Sequence, residues 1–346
     1  MIGENPPEMR RGRIVCFGEV LLRLASPQGE MLLQTPTLRV AVGGAESNVA
    51  TALARAGVPA AMITILPDST LGAAARDELR RHGVETSGIR FMQGRMGLYF
   101  LTPGAGLRPA EVLYDRASSA FSLAQHDLID WDVELKGTSR LHISGVTLAI
   151  GESSAAAAVR AAQSATRLGV PVSFDGNYRA KLWAATQGHA PTLMRALLKA
   201  ADTAFVDHRD IALALERMPF ADSPLRDIEM AADAFHHFLR LRRIAFTRRL
   251  AECAERHELT AHLIPRDGAA LCSAPRALTG IVDRIGAGDA FAAGILFGLW
   301  LGVGDREALG YGLASACLKH FVVGDAALGS AADLTGFLGD GVDVRR

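Results

Sequence analysis

The sequence predicts an α/β fold, a doubly wound and mainly parallel β-sheet with helices packed on its faces, and three observations carry that prediction. Short β-branched or apolar runs alternate along the chain with alanine-rich stretches of helical period. Of the 346 residues, 49% are hydrophobic, enough to bury a substantial core. Near the C-terminus a glycine-acid turn, Gly286-Ala287-Gly288-Asp289, opens an uncharged apolar helix, and α/β sheets hold anions at such helix starts. No internal repeat or low-complexity linker divides the chain, so residues 1–346 read as a single domain.

In chain order, residues 1–13 are polar and read as a loose tail, with no apolar stretch of the kind a secretory signal needs. An amino-terminal strand leads to Gly18-Glu19 and the apolar run Val20-Leu21-Leu22. Gly43-Gly44 precedes a helix starting near Glu46 or Ser47, with Val49, Leu53 and Ala56 spaced for one buried face. A strand at 60–66 is followed by a helix at 71–82, and a strand at 170–174 by a later helix at 192–200. Residues 141–144, 203–206, 244–247 and 259–264 supply further strands, and helices at 289–301 and 306–321 close the domain. Two stretches break the alternation. Residues 28–42 and 91–116 mix apolar and aromatic residues with Pro, Gly and Arg, lack a helical period, and read as strands inserted into the α/β order. Residues 217–226 contain proline and read as a surface loop.

Composition excludes several functions. Basic and acidic residues balance at 37 each, so no global field draws the chain to nucleic acid or to an anionic membrane. Residues 290–304 are uncharged but too short and glycine-rich to span a bilayer. Cys16, Cys253, Cys272 and Cys317 show neither paired spacing nor neighbouring histidines, which predicts free thiols in a cytoplasmic protein. The chain has no Gly-Lys pair, which excludes a Walker P-loop, and Phe291 occupies the third small-residue position of a dinucleotide fingerprint. His208-Arg209-Asp210 imitates a protein-kinase catalytic loop, but Leu215 stands where its asparagine belongs.

The chemistry concentrates at residues 281–291. Gly286 and Gly288 let the backbone expose successive N–H groups, and the helix that follows adds its positive end, which together suit a phosphate. Asp289, the one ionisable group in the turn, is placed to accept a proton from an attacking hydroxyl. An ordinary glycine turn with an acid near a helix start would look the same locally. Asp175, Asn177 and Arg179 emerge at a strand's carboxyl end, where doubly wound sheets bind ligands.

Val282-Asp-Arg-Ile-Gly-Ala-Gly-Asp-Ala-Phe-Ala-Ala-Gly294 resembles the C-terminal signature of ribokinase-like (PfkB) carbohydrate kinases, in the form with Asp-Arg before the glycines that is typical of 2-keto-3-deoxygluconate kinases. Gly18-Glu19, Gly43-Gly44-Ala-Glu-Ser-Asn48, Tyr114-Asp-Arg-Ala-Ser-Ser-Ala120, Phe174-Asp-Gly-Asn-Tyr-Arg179 and Leu182-Trp183 extend the resemblance in the same order. It implies a ribokinase-like sheet with a small β lid formed by the strands at 28–42 and 91–116, and a homodimer or higher homo-oligomer paired through that lid. It also implies ATP and Mg²⁺ as cosubstrate and cofactor, leaves a monovalent cation open, and assigns no metal ligand.

Roles follow residue by residue. Amides of Gly286, Ala287 and Gly288 would hold the transferring phosphate, with Asp289 as base; Gly43, Gly44, Asn48 and Asn177 would meet the sugar. Asn48 could instead merely cap its helix. Tyr99, Tyr114 and Arg116 would lie on the lid, with Arg116 and Arg179 facing a substrate carboxylate or the phosphate; Arg116 could equally be solvated and Arg179 paired with Asp175. The family's Lys-x-Gly-x-x-Gly turn is absent, which makes Thr247, Arg248 and Arg249 the candidate nucleotide contacts. The Asn-x-x-Glu motif is absent too, and Asp207-His-Arg-Asp210 stands in its place. Gly18-Glu19 replaces the Asn-x-Asp pair of ribokinases and disfavours ribose. The expectation is an ATP-dependent sugar-acid kinase acting on O6 of 2-keto-3-deoxygluconate. A fructokinase, another PfkB sugar kinase, or a non-catalytic sugar-responsive binding protein are the alternatives.

Overall fold

The apolar runs pair into two separate sheets in the computed structural model, which describes residues 12–186, 189–217 and 224–339. The chain begins with β1 (Ile14–Phe17), β2 (Leu21–Ala25) and β3 (Arg39–Gly43), then α1 (Ala45–Arg55), β4 (Ala60–Pro67), α2 (Thr70–Arg81) and β5 (Ile89–Met92). Next come β6 (Leu98–Thr102), β7 (Glu111–Asp115), two short helices α3 (Ala120–Leu123) and α4 (Trp131–Glu134), β8 (Arg140–Ser144), α5 (Gly145–Ala149) and α6 (Glu152–Arg167). β9 (Val172–Asp175), α7 (Ala180–Thr186), α8 (Ala190–Ala200), β10 (Thr203–Phe205), α9 (His208–Ala214) and α10 (Pro224–His237) follow. The chain continues through β11 (Arg243–Cys253), β12 (Arg256–Pro265), β13 (Leu271–Cys272), β14 (Arg276–Thr279), α11 (Ala287–Leu301), α12 (Asp305–Lys319) and α13 (Ala331–Leu338).

The large sheet runs β13-β12-β11-β10-β9-β8-β1-β4-β5, with β14 also paired to β12. It is parallel from β5 to β11 and antiparallel beyond. β1 shows why both faces need helices. Val15 and Phe17 pack in one core with α6 and α8, while Ile14 and Cys16 enter the other with α1, α11 and α12, as the two-residue period of a strand requires. From β1 the chain steps outward to β4 and β5, then returns to β8 on the other side. This reversal leaves a crevice at the carboxyl ends of β1 and β8, where doubly wound sheets take their ligands.

The small sheet has the order β3-β2-β6-β7. Leu21, Ala25, Tyr99 and Leu101 form its buried face, while Val40 and Leu113 stay exposed. Its composition corrects the expected insertions. Residues 28–42 supply β3 only from Arg39 onward, the remainder being turns and irregular chain, and the strand that pairs with it is β2, just after Gly18-Glu19. Of residues 91–116, the first two belong to β5 on the large sheet, and β6 and β7 form the small sheet's other half. β11 and β12 run well past the expected 244–247 and 259–264 as a long hairpin whose distal residues are largely polar and exposed, so no hydrophobic pattern announces them. Of the expected loop at 217–226, Arg217 follows α9, residues 218–223 lie outside the described residues and residues 224–226 open α10; residues 1–11 of the expected tail also lie outside them. No helix among the described residues is long and apolar enough to cross a membrane.

Candidate active site

The anion turn forms because one glycine must be there and another is free to be. Gly286 caps α11 in the left-handed region (φ 80°), and a side chain there would also strike the Asp325 carbonyl. Gly288 differs. It lies within the helix and exposed, with nothing within 4 Å of where a Cβ would project, so no packing in the protein calls for glycine. Bare backbone at an open helix start is what close approach by a phosphate requires. Ala290 N–H closes the first helical bond to Gly286 (2.8 Å) and Ala287 N–H reaches back to the Arg284 carbonyl (3.2 Å). Helix geometry leaves the amides of Gly288 and Asp289 without intrahelical acceptors.

Asp289 projects from this turn into the crevice, where its Oδ2 accepts a 2.7 Å hydrogen bond from Asn48 Nδ2. Burial pushes its carboxyl up to about 7, against the pull of Asn48 and Arg179 and with help from Asp325 and Glu46. Asn48 comes from α1, whose cap Gly44 has φ 135° and abuts the Glu19 carbonyl. Asn48 therefore does not cap its helix; it reaches across to α11. Glu46, two residues earlier, is buried at the β1/β8 reversal and accepts from Ser144 N–H, Ser144 Oγ and Thr147 Oγ1 at 2.7–2.8 Å. Burial raises its carboxyl as well.

At the end of β9, Asp175 is raised well above the ordinary aspartate range by burial first and then by Asp289. Asn177 holds a left-handed backbone (φ 40°), a conformation asparagine tolerates. Arg179 is exposed, with its charge felt by Asp175, Asp210, Asp289 and Arg284. It makes no ion pair with Asp175 among the described residues, so the open alternative of a simple pair does not hold. Asp210, on α9, is pushed up to about 7 by burial and by Asp207, whose N–H it accepts at 3.2 Å.

The small sheet brings Tyr99 and Tyr114 together, ring centroids 6.4 Å apart. Arg116 lies over Tyr114 and is neither solvated nor uncompensated. Its Nε donates to Glu19 Oε2 at 2.7 Å, with Nη2 on the same oxygen and Ser119 Oγ on the other, and both charged residues are buried. A desolvated guanidinium needs such a partner. Beneath this pair is a second network that no spacing in the sequence indicates. Arg23 on β2 bridges Asp283 (2.7 Å) and Asp325 (2.9 Å), and Tyr99 OH donates to Asp325 (2.6 Å). The Asp325 carboxylate sits where a side chain on Gly43 would go, and its carbonyl sits against Gly286. One residue thus touches both glycine turns.

On β11 the alternation of a strand separates neighbouring candidates. Arg248 turns to Asp227 of α10 and lies over the Phe246 ring. Arg249 faces Arg284: burial and then the neighbouring guanidinium lower its affinity for a proton. Arg284 is likewise depressed by burial and then by Arg179. Arg179, Arg284 and Arg249 thus line the turn as mutually repelling cations without carboxylate partners among the described residues. Thr247 is half-buried on β11 itself. Arg284 is absent from the expected contacts, although it stands inside the glycine signature itself.

Residues 11–328 match the pattern of the pfkB family carbohydrate kinases. A 2-dehydro-3-deoxygalactonokinase of Haloferax volcanii is 35% identical over 315 residues, covering 91% of this chain and 93% of that one. The crystal structure of 2-dehydro-3-deoxygluconokinase from Thermotoga maritima superposes with a TM-score of 0.89 at 33% identity, covering 95% and 99%. A probable chloroplastic fructokinase of Arabidopsis thaliana is 29% identical, over 82% of this chain and 69% of its own. With the family pattern matched over residues 11–328 and these relatives matched over nine-tenths of its length, the chain belongs to the PfkB family of carbohydrate kinases.

Proposed function

We propose that this kinase transfers the γ-phosphoryl group of ATP to O6 of 2-keto-3-deoxygluconate, giving 2-keto-3-deoxy-6-phosphogluconate. The observation that carries the reading is Asp289: a buried carboxyl raised to about 7, held by Asn48 at the open start of α11, is placed and tuned to take a proton from an alcohol. As that hydroxyl oxygen bonds to phosphorus and the bond to ADP breaks, Asp289 receives the proton. The Gly288 and Asp289 amides stabilise the charge on the transferring group, with Gly286 shaping the turn and Ala287 following it into the helix. Arg284, Arg249 and Arg179 accommodate the polyphosphate, with Thr247 beside them; Arg248, held by Asp227, shapes that wall.

Mg²⁺ fits the acidic residues present. Asp210 is buried, raised in pKa and repelled by Asp207, a strain that a divalent cation relieves, and no cluster of three or more metal-ligating side chains occurs among the described residues. Asp210, and Asp175 beside it, would hold the ion, which would supply neutralisation of the phosphate charge.

On the sugar side, Gly43, Gly44, Asn48 and Asn177 face the hydroxyls, Tyr99 and Tyr114 form the rim, and the small sheet closes over them as a lid. Arg116 would share itself between Glu19 and the substrate carboxylate. Relatives named for ketodeoxy sugar acids, matched over nine-tenths of the chain, support that substrate class. The pre-existing Glu19 pair and the fructokinase relative favour a neutral sugar as the second reading. The exposed face and edges of the small sheet, with Val40 and Leu113, suit pairing with a second copy, and the four free cysteines suit a reducing cytoplasm. ADP formation measured with ketodeoxygluconate, ketodeoxygalactonate, gluconate, fructose and ribose tests the assignment, with phosphorus NMR locating the new ester. Fastest turnover on fructose, or an ester elsewhere than O6, overturns it.

A further inference from the structure

Among the described residues, the charged side chain with the least exposure belongs to a lysine that the chemistry above does not use. Lys319 is 0% exposed at the last turn of α12. Its Nζ donates to the carbonyl oxygens of Val322 (2.9 Å) and Asp283 (3.1 Å), so its partners are main-chain oxygens rather than carboxylates. These carbonyls belong to the two segments that meet behind the anion turn. Asp283 stands three residues before Gly286, and Val322 leads to Gly324 and Asp325.

The same junction is closed by Val282 and Asp283 N–H on the His320 carbonyl (2.9 and 3.1 Å), and by Ile285 and Gly324 N–H on the Asp283 carboxylate (3.0 and 3.1 Å). Carbonyl oxygens converging on a positive centre, with the carboxylates of Asp283 and Asp325 close by, make the donor environment of a bound monovalent cation. Here the cation is tethered to the chain and fills the position between the carbonyls. Burial lowers the lysine's proton affinity, and Asp283 and Asp325 oppose that.

We propose that Lys319 is a positioning residue whose ammonium serves the anion turn as a built-in monovalent cation, so that turnover needs no potassium or ammonium ion. The proposal rests on the kinase reading above. Against a purely structural lysine, it makes a claim that salts can test. Turnover, affinity for a non-hydrolysable ATP analogue and melting temperature are compared in tetramethylammonium, potassium and ammonium chlorides at equal ionic strength. The wild type is expected to be indifferent to which is used. Lys319→Ala, which opens space beside a cavity of about 310 Å³ already bordered by Lys319 between α1, α11 and α12, is expected to lose turnover about 10- to 100-fold in tetramethylammonium through misplacement of the turn. Ammonium or potassium then recovers most of that loss and raises the variant's melting temperature. Lys319→Met, which fills the space without charge, is expected to lose turnover without recovery.

Activation of the wild type by potassium overturns the proposal, whether or not the variants fold. So does a folded Lys319→Ala with wild-type turnover in tetramethylammonium, or with an equal loss in every salt. Should Lys319→Ala fail to fold, wild-type indifference together with a folded, inactive Lys319→Met supports it, and a folded, fully active Lys319→Met overturns it. Failure of the kinase reading is recognisable separately, as absence of sugar-dependent ADP formation by the wild type in every salt. Nucleotide affinity and melting temperature then decide about Lys319 by the same criteria.

Discussion

The two sides of the cleft treat charge in opposite ways. Beneath the small sheet, Arg23 is matched to Asp283 and Asp325, and Arg116 to Glu19, so these desolvated cations have their counter-ions inside the protein. Around the anion turn, Arg179, Arg284 and Arg249 face one another, and Asp289, Asp175 and Asp210 are held with raised pKa values. A satisfied network fixes shape; an unsatisfied one stores free energy that a ligand or a proton transfer releases. On the proposed assignment, the sugar side is thus a frame and the phosphate side the seat of the chemistry. Glycine divides the same way: Gly286 is demanded by the fold, whereas nothing packed around Gly288 demands glycine there.

The largest effect that this contrast predicts is at Asp289. Asp289→Asn should lower turnover by about two to four orders of magnitude with little change in substrate affinity, measured by steady-state kinetics and calorimetry. Near-normal turnover would remove Asp289 as the base. Because folding raises this carboxyl to about 7, the native state favours its neutral form. That contribution to stability is present below the ordinary aspartate range and is lost as pH rises through about 7. The Asn variant should therefore be more stable than wild type at about pH 8, by about 1–3 kcal/mol, and gain little at about pH 4. In the wild type, turnover should fall on the acid side of about 7, as the base takes up its proton before the substrate can give one.

On the framed side the expected loss is of stability. Arg23→Met leaves Asp283 and Asp325 buried without their cation and should cost about 3–5 kcal/mol in denaturant unfolding, whereas the same measurement on Arg249→Ala should show almost no change. Equal losses would erase the distinction between the two sides. Gly288→Ala sharpens it further. A methyl there meets open space and suits a helix, so stability should hold or rise by about 0.5–1 kcal/mol. Turnover should nonetheless drop about 10- to 100-fold, because the phosphate loses its close approach. The smallest effect is Arg249→Ala, expected to raise the KM for ATP about tenfold and to weaken its dependence on salt while leaving kcat nearly intact.

Arg116 required the pair to be seen. Removing it alone strands the buried Glu19, so a loss with Arg116→Ala would not report on a substrate carboxylate. Joint replacement, Arg116→Met with Glu19→Gln, removes both charges; greater loss with ketodeoxygluconate than with fructose in competing assays then supports carboxylate recognition.

Much of the site was legible along the chain. Gly286, Gly288 and Asp289 announce themselves by adjacency, because helix start, turn and acid are local properties, and the strands of the parallel sheet show as dense apolar runs because they are buried on both faces. Asn48 was legible as a residue near a helix start but not as the partner of Asp289, 241 positions away. Arg23, Asp325 and Lys319 left no trace. Each is an ordinary charged residue in sequence, and only packing reveals that all three are buried around one junction. β2 escaped assignment to the small sheet for the same reason, since its run Leu21-Leu22-Arg23-Leu24-Ala25 fits a strand of either sheet.

What the sequence by itself determined is the α/β order and the anion turn, because backbone conformation and the two periodicities of hydrophobic burial are set by near neighbours. What the tertiary structure alone decided is which charges are spent and which are left available. Pairing depends on distances between residues up to about three hundred positions apart, as from Arg23 to Asp325. Desolvation, which raises the Asp289 carboxyl from the ordinary aspartate range to about 7, exists only once the chain has closed around it.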